Sequence, residues 1–231
     1  RNSYLCNLPL DLQIRKLTVL TEAIEHHLAV RPRTFKAGRY GFDFRLVPAL
    51  QKLGYLVDTS ILAYTDMRDD AGPNFSRFGN EPFLFDAAHA PVDVDGPPIL
   101  EVPCSVGFTQ RPFSIFSLVY RFASLRQLRR FRLRGMMWKS CFLRRVVLSP
   151  EGFDVANLKQ LLRRLVQERV SAVNVTLHSP SMQPGNTPYT RDAEELKVLV
   201  ACLREVLSCT LDAGATPMTM SEFARLRTKM A

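Results

Sequence analysis

The sequence has few of the residues that build disulfide frameworks or metal sites. Its 231 residues include five cysteines, four histidines and one tryptophan, and no two cysteines stand in a Cys-x-x-Cys spacing. We therefore expect reduced, mostly buried thiols rather than a disulfide scaffold or a zinc ribbon. No apolar run approaches the roughly 20 residues of a membrane-spanning helix. The thiols favour a cytoplasmic protein, although export stays open because the first residue is not Met.

Acidic residues are missing from one long stretch of the chain. No Asp or Glu occurs between Glu101 and Glu151, whereas the segment from Arg121 to Arg145 holds nine Lys or Arg residues. Much of the net charge of +9 is therefore concentrated in residues 121–145. One interpretation is a surface for an anionic partner, whether nucleic acid, lipid headgroups or an acidic polymer such as a glycan. The other is a solvated basic face without a partner.

Hydrophobic residues make up 46% of the chain, with 15 phenylalanines, which is enough for a globular core. Short apolar runs alternate with segments of helical periodicity, and this alternation predicts an α/β fold built on a parallel sheet or barrel. A stretch rich in Gly and Pro at about 63–98 interrupts it as a long loop. We expect one domain over residues 1–231. The predicted strands are 34–37, 55–58, 99–103, 145–149 and 172–177, and the predicted helices are 10–28, 43–53, 115–133, 154–169 and 190–212.

Polar side chains follow several of the predicted strands, where parallel α/β folds place their active sites. His178 is the sharpest of them, because it ends a strand and leads into a loop with three prolines. Histidine exchanges protons near neutral pH and so suits general acid–base catalysis. A histidine that only caps the loop is the alternative. The other polar candidates at these strand ends are Lys36, Arg39, Asp58, Glu101, Ser149 and Glu151.

Six short segments form an ordered pattern that runs nearly from end to end of the chain. They are FKAGRYGFD at 35–43, LGY at 53–55, DTS at 58–60, ILEVPCS at 99–105, LHSPS at 177–181 and TMSEF at 219–223. In this order they resemble the NodB-type polysaccharide deacetylases, in the form of the WalW-type branch. Each motif alone is weak, and the specificity lies in the set.

The resemblance implies a distorted (β/α) barrel of the NodB-homology type, here incomplete at its N-terminus, that binds a divalent metal, usually zinc. In that family a metal-activated water attacks an acetamide or ester carbonyl, and a histidine protonates the leaving group. By resemblance His178 matches this general acid, Asp58 the acid that orients it, and Lys36 the arginine that steadies a catalytic aspartate. A backbone N–H near Tyr40 would help to hold the oxyanion. Weaker candidates for the substrate rim are Arg39, Glu101 and Ser149.

The sequence departs from the family in its metal ligands. No Asp-Asp pair in a strand context and no His-x-x-x-His precedes Phe35, so we expect the ligands upstream of Arg1. His26 and His27 are adjacent on a helix and point about 100° apart, which is unsuited to one ion. His89 has no partner at a chelating spacing. Lysine at position 36 also loses the two-pronged carboxylate contact of an arginine.

The leading hypothesis is a hydrolase that removes acetyl groups from an acetylated polysaccharide or oligosaccharide, acting on carbon–nitrogen bonds other than peptide bonds or on esters. The alternatives are an inactive carbohydrate-binding relative and a protein that binds an anionic polymer through residues 121–145. We further expect Asp58 and His178 to converge at one end of the sheet. The 231 residues alone are expected to bind zinc poorly and to have little activity.

Overall fold

The computed structural model describes residues 3–93 and 95–230, without the side chains of Arg126, Arg129, Lys229 and Met230. Its contacts divide the chain into two compact units. The first is Arg1–Pro103 with Met218–Ala231, and the second is Cys104–Pro217. The single domain that we expected over residues 1–231 stays a prediction, and each unit is described by itself.

The first unit is built on a four-stranded sheet with the order β1–β2–β4–β3. Strands β1, β2 and β4 run parallel, and β3 joins the edge of β4 antiparallel. Strands 34–37, 55–58 and 99–103 are therefore confirmed as parallel neighbours, although each is only two residues long. Their bounds are β1 Thr34–Phe35, β2 Val57–Asp58, β3 Phe83–Leu84 and β4 Leu100–Glu101; the helices of this unit are α1 Leu10–Leu28, α2 Val47–Lys52 and α7 Met220–Met230.

Aromatic side chains order the long loop of the first unit. Phe75 and Phe85 come from that loop and are almost completely buried. The ring of Phe75 lies 6.3 Å from that of Phe44, and the ring of Phe85 lies 5.9 Å from that of Phe42, measured between centroids. Tilted and edge-to-face ring pairs of this kind add to the burial of apolar area. The predicted excursion at 63–98 is thus packed onto the core rather than extended from it.

The second unit carries a two-stranded antiparallel sheet with helices around it. Helix α5 buries an apolar stripe against this sheet and against α6. The Asp154 carboxylate caps α5 by accepting a hydrogen bond from the Asn157 N–H at 2.8 Å. Its elements are β5 Val106–Phe108, β6 Arg145–Val147, α3 Phe113–Ala123, α4 Leu133–Lys139, α5 Val155–Gln167 and α6 Ala193–Asp212.

The structure differs from the prediction at two of the five strands. Segment 145–149 was expected to be a parallel strand, but β6 pairs with β5 in the antiparallel sense. Segment 172–177 is extended without being a strand, because it makes only scattered backbone bonds. The Ser105 N–H donates to the Asn174 carbonyl at 3.3 Å, and the Thr176 N–H donates to the Leu148 carbonyl at 3.1 Å. The Asn174 N–H donates to the Ser105 hydroxyl instead of to a ladder carbonyl.

The predicted helix 115–133 is broken into three pieces. Helix α3 ends at Ala123, a 3₁₀ segment spans Arg126–Phe131, and α4 begins at Leu133. Arg132, between the last two, has a φ of +50°. That left-handed conformation cannot continue a helix for a residue with a side chain.

The described strands form one sheet of four and one sheet of two rather than a closed barrel. The architecture is mixed α/β, and the (β/α) barrel stays a prediction. Within the described ranges, no helix has the length and the apolar character needed to cross a membrane.

Candidate functional site

A tight turn after β6 presents Glu151 to the loop that begins at His178. The chain leaves β6 at Val147 and turns through Ser149 and Pro150. The Ser149 hydroxyl accepts a hydrogen bond from the Glu151 N–H at 3.2 Å. Gly152 follows with a φ of +81°, a conformation that glycine adopts without a steric penalty. The turn thereby fixes the backbone of Glu151, whose side chain is buried.

The Glu151 carboxylate makes three hydrogen bonds to that loop. Its Oε1 accepts from the backbone N–H of His178 at 3.1 Å and from the hydroxyl of Ser181. Its Oε2 lies 2.7 Å from His178 Nδ1. A buried carboxylate is retained when such donors satisfy it, since an unpaired one would cost several kcal/mol. Glu151 therefore fixes both the backbone and the ring of His178.

Hydroxyl groups close the loop after His178 on itself. The Ser181 hydroxyl lies 3.0 Å from that of Thr187, which lies 3.3 Å from that of Thr190. The Thr190 hydroxyl donates to the Ser181 carbonyl at 2.9 Å, and the Gly185 N–H donates to the Thr190 carbonyl at 2.7 Å. Ser181 is completely buried, so its hydroxyl supports Glu151 and is not presented to a substrate. Four hydrogen bonds therefore tie the loop to itself.

His178 combines a fixed ring with an accessible edge. Its side chain is 67% exposed, whereas that of Glu151 is 4% exposed. A carboxylate that accepts the Nδ1 proton orients the imidazole and leaves Nε2 to exchange protons with a substrate or water. This carboxylate–imidazole arrangement is the one that makes a histidine a general base and then a general acid.

A second cluster of acids lies in the first unit, on neighbouring parallel strands. Asp58 of β2 stands in register with Glu101 of β4, and both side chains are fully buried. Asp58 Oδ1 accepts from the Ser60 hydroxyl at 2.6 Å, and Glu101 Oε1 accepts from the Ile61 N–H at 3.1 Å. Burial raises the pKa of Asp58, and hydrogen bonds with Glu101 and Ser60 offset this rise only in part. Two carboxyls in such a site favour a shared proton.

Lys36, which we predicted to be a site residue, interacts with that cluster. The Lys36 ammonium donates to the Thr59 carbonyl at 3.2 Å and lies 4.8 Å from the centroid of the Tyr40 ring. Its charge also opposes the rise in the Asp58 pKa. The Tyr40 N–H donates to the Ala37 carbonyl at 3.0 Å. The oxyanion role that we predicted near Tyr40 would therefore compete with an existing hydrogen bond.

The structure places several of the predicted site residues in surroundings that we did not expect. Glu101 and Ser149 are buried, and their assignment to the substrate rim stays a prediction. Arg39 is exposed, and its guanidinium lies over the Tyr4 ring at 4.8 Å. The acid bonded to His178 Nδ1 is Glu151, a residue that the sequence placed at a strand end without a role. The convergence of Asp58 with His178 stays a prediction.

The described residues do not fit the metal that the family resemblance implies. No group of three or more His, Cys, Asp or Glu side chains in the described part of the chain could hold an ion. His89 Nδ1 lies 2.7 Å from an Asp86 carboxylate oxygen, and its ring lies 4.6 Å from that of Phe83. His26 and His27 are adjacent on α1. The ligands expected upstream of Arg1 lie outside the described residues.

The five cysteines are free thiols, with Cys104 and Cys202 buried and Cys141 exposed.

Comparison of the chain with protein-family models, with curated proteins and with solved structures gives no match. The interpretation of the site therefore depends on its own geometry and on the sequence motifs.

Proposed function

We propose that the chain acts as a deacetylase-like hydrolase in which His178 transfers the proton and Glu151 holds the imidazole. The observation that carries the proposal is the contact between the buried Glu151 carboxylate and Nδ1 of a largely exposed His178. A histidine that only caps its loop would make the same two contacts with Glu151, through its backbone N–H and Nδ1. The exposed Nε2 edge is what suits His178 to proton transfer, and the variants described below separate the two roles.

The chemistry follows from the two ring nitrogens. His178 Nε2 takes a proton from water as the water oxygen bonds to the acyl carbon. The resulting imidazolium is stabilised by the Glu151 carboxylate at Nδ1. It then gives the proton to the leaving nitrogen or oxygen as the bond from the acyl carbon breaks, which yields acetate and a free amine or alcohol. These steps use only His178, Glu151 and water, and the described residues do not fit a metal.

The choice of an acetylated glycan as substrate is supported by the motif set that resembles polysaccharide deacetylases. The LHSPS segment at 177–181 contributes both His178 and Ser181 to the Glu151 network. An ordered loop next to an exposed imidazole suits an extended substrate that approaches from solvent.

The proposal is tested by acetate release from acetylated chito-oligosaccharides and from acetylxylan, with the complete product of the gene. His178→Gln should lower kcat at least about 100-fold, which is the usual contribution of a general acid–base residue. Glu151→Gln should lower it less, because the imidazole remains but loses its anionic partner. His26→Gln is the matched control, since His26 is an exposed histidine on α1, and it should leave kcat unchanged.

Other outcomes separate the alternatives. Binding of the oligosaccharide without acetate release would support an inactive carbohydrate-binding relative. Full activity in His178→Gln would show that the histidine only caps its loop and would contradict the proposal.

A further inference from the structure

Helix α3 has an apolar face that points away from the unit to which it belongs. Phe113, Ser117 and Ala123 form its buried side. Apolar side chains on the opposite side of the helix are exposed, and Phe122 has the largest exposed fraction among them, 63%. At 100° per residue the exposed apolar side chains fall within an arc of about 100°. They are Ile115, Leu118, Val119 and Phe122.

Further exposed apolar side chains follow α3 in the chain. Helix α4 lies beside α3, and the segment between them and α4 itself add Phe131 and Met136, which are 50% and 53% exposed. We call these residues the α3–α4 surface: Ile115, Leu118, Val119, Phe122, Phe131 and Met136. Single exposed apolar residues are ordinary, but a cluster on one segment marks an interaction surface.

The same segment is strongly cationic. Arg121, Arg130, Arg132, Arg134 and Lys139 are exposed, and no acidic residue occurs in sequence between Glu101 and Glu151 to neutralise them locally. The Arg130 guanidinium lies 4.7 Å from the centroid of the Phe131 ring, so cationic and apolar groups are interleaved. Charge complementarity therefore requires an anionic partner that also accepts apolar side chains.

We propose that the α3–α4 surface binds the surface of an anionic phospholipid bilayer. The aliphatic side chains and Phe122 enter the boundary between headgroups and acyl chains, and the arginines contact lipid phosphates. Nucleic acids and acidic glycans would engage the cations and the aromatic rings, but they offer nothing to Ile115 and Leu118. A second copy of this chain would bring one cationic segment against another. None of the hydrogen bonds that hold Glu151 and His178 involves a residue of this surface.

Co-sedimentation with vesicles tests the inference, with the 231-residue chain. Vesicles with about 30% phosphatidylserine should bind it at least about tenfold more tightly than vesicles of phosphatidylcholine alone. The double variant L118E/F122E should lose at least about tenfold in affinity for the anionic vesicles. Val198→Glu is the matched control, because Val198 is 64% exposed on α6, close to the 63% of Phe122, and its binding should not change.

A fluorescence measurement avoids reliance on a variant that fails to fold. Trp138 is the only tryptophan and lies on α4 within the same segment. Its emission should shift to shorter wavelength with anionic vesicles and be quenched by lipids brominated on the acyl chain. Binding without this quenching would place another face on the bilayer and overturn the assignment.

Two further results would also overturn it. One is heparin or duplex DNA binding that exceeds vesicle binding and does not change in L118E/F122E, which would indicate a polymer site. The other is a dimer that L118E/F122E converts to a monomer, without vesicle binding by the parent chain. That result would show that a second copy covers this surface.

Discussion

At the scale of single residues, His178 depends on an acid far from it in sequence. Glu151 and His178 are 27 positions apart, and they meet because a turn after β6 and an ordered loop bring them together. The carboxylate is an acceptor for two donors of the same residue, the backbone N–H and the ring Nδ1. The histidine is therefore fixed from both its main chain and its side chain, which is what proton transfer in a defined direction requires.

This contact predicts the tautomer of His178. While the imidazole is neutral, its proton should reside on Nδ1, because the Glu151 carboxylate is an acceptor at 2.7 Å. In Glu151→Ala the acceptor is gone, and the proton should redistribute toward Nε2. Long-range ¹H–¹⁵N correlation spectra distinguish the two forms. The spectra of His26 and His27 should not change, and a parent protein with the proton on Nε2 would contradict the proposed orientation.

The buried acid pair of the first unit predicts a pH dependence of stability. Burial raises the pKa of Asp58 above its ordinary value of 3.8, so the folded state binds a proton that the unfolded chain has released. The free energy of unfolding should then fall as the pH rises from 3.8 through the raised pKa. Asp58→Asn mimics the protonated acid and should flatten this part of the curve, measured by urea unfolding across the pH range. An unchanged slope would contradict a proton shared with Glu101.

Asp43 is a control for this prediction, because its pKa is shifted in the opposite direction. Burial raises its pKa, but the hydrogen bonds from Arg45 and Gln13 outweigh this effect, and the net pKa lies below 3.8. Stability from Asp43 is therefore present above pH 3.8 and lost as the pH falls through the lowered pKa. Asp43→Asn should flatten the acid side of the curve and leave the fall above pH 3.8 intact.

At the scale of elements, helices were predicted better than strands, because their signals are local. Helix α1 matches the predicted 10–28, and α5 begins after its capping acid Asp154. The start of α6 was placed at Thr190, but Asp192 is the cap, since Thr190 bonds to the loop at Ser181 instead. The residues next to Thr190 in the sequence do not show that its hydroxyl bonds to Ser181 rather than capping the helix.

Strand pairing could not be predicted in the same way. The sequence gives no turn signal that would pair β5 with β6, because α3, α4 and the 3₁₀ segment separate them. Both strands are three residues long and mostly apolar, and the pattern of such a run is the same for parallel and antiparallel neighbours. The Glu151–His178 contact was missed for a related reason, since it depends on the geometry after β6.

The packing of β5 against its helices predicts the effect of a single methyl group. A Cβ added at Gly107 would lie 2.5 Å from Leu161 Cδ1 and 2.5 Å from Phe113 Cζ. Gly107→Ala should therefore lower the free energy of unfolding by about 1–3 kcal/mol through overpacking. Gly135→Ala on α4 is the matched control, because nothing lies within 4 Å of its added Cβ. It should be neutral or stabilising by up to about 1 kcal/mol. Urea unfolding of both variants measures the difference, and equal effects would contradict the packing.

At the scale of the whole molecule, the mixed α/β architecture and the parallel core of the first unit could be predicted from sequence alternation. The division into two compact units could not, because neither junction, at Pro103 and at Pro217, carries a linker-like composition. Each junction has a single proline, Pro103 between Val102 and Cys104 and Pro217 between Thr216 and Met218. Closure of a barrel depends on strands distant in sequence and stays a prediction.

The small number of side chains that could coordinate zinc predicts weak zinc binding. A catalytic zinc needs about three protein ligands and an open position for water. Nδ1 of His178 lies against Glu151, and Nδ1 of His89 lies against Asp86. The rings of His26 and His27 on α1 do not point apart as we expected but lie 4.8 Å from each other, edge to face. Within the described part of the chain, no further His, Cys, Asp or Glu joins them as a third ligand. Asp58 and Glu101 are acids, but both are fully buried. Burial raises the pKa of Asp58, so a cation that entered would have to displace a proton held more tightly than usual.

After dialysis against zinc and then against buffer, the 231-residue chain should therefore retain much less than one zinc per chain, measured by elemental analysis. The His178→Ala variant should retain the same amount, because His178 is assigned to proton transfer rather than to a metal. Because the proposed proton transfer uses His178 and Glu151 alone, acetate release by this chain should not increase with added zinc. One tightly held zinc per chain, lost in His178→Ala together with activity, would make this prediction wrong. It would mean that Nε2 of His178 is a metal ligand and that Glu151 supports it in that role.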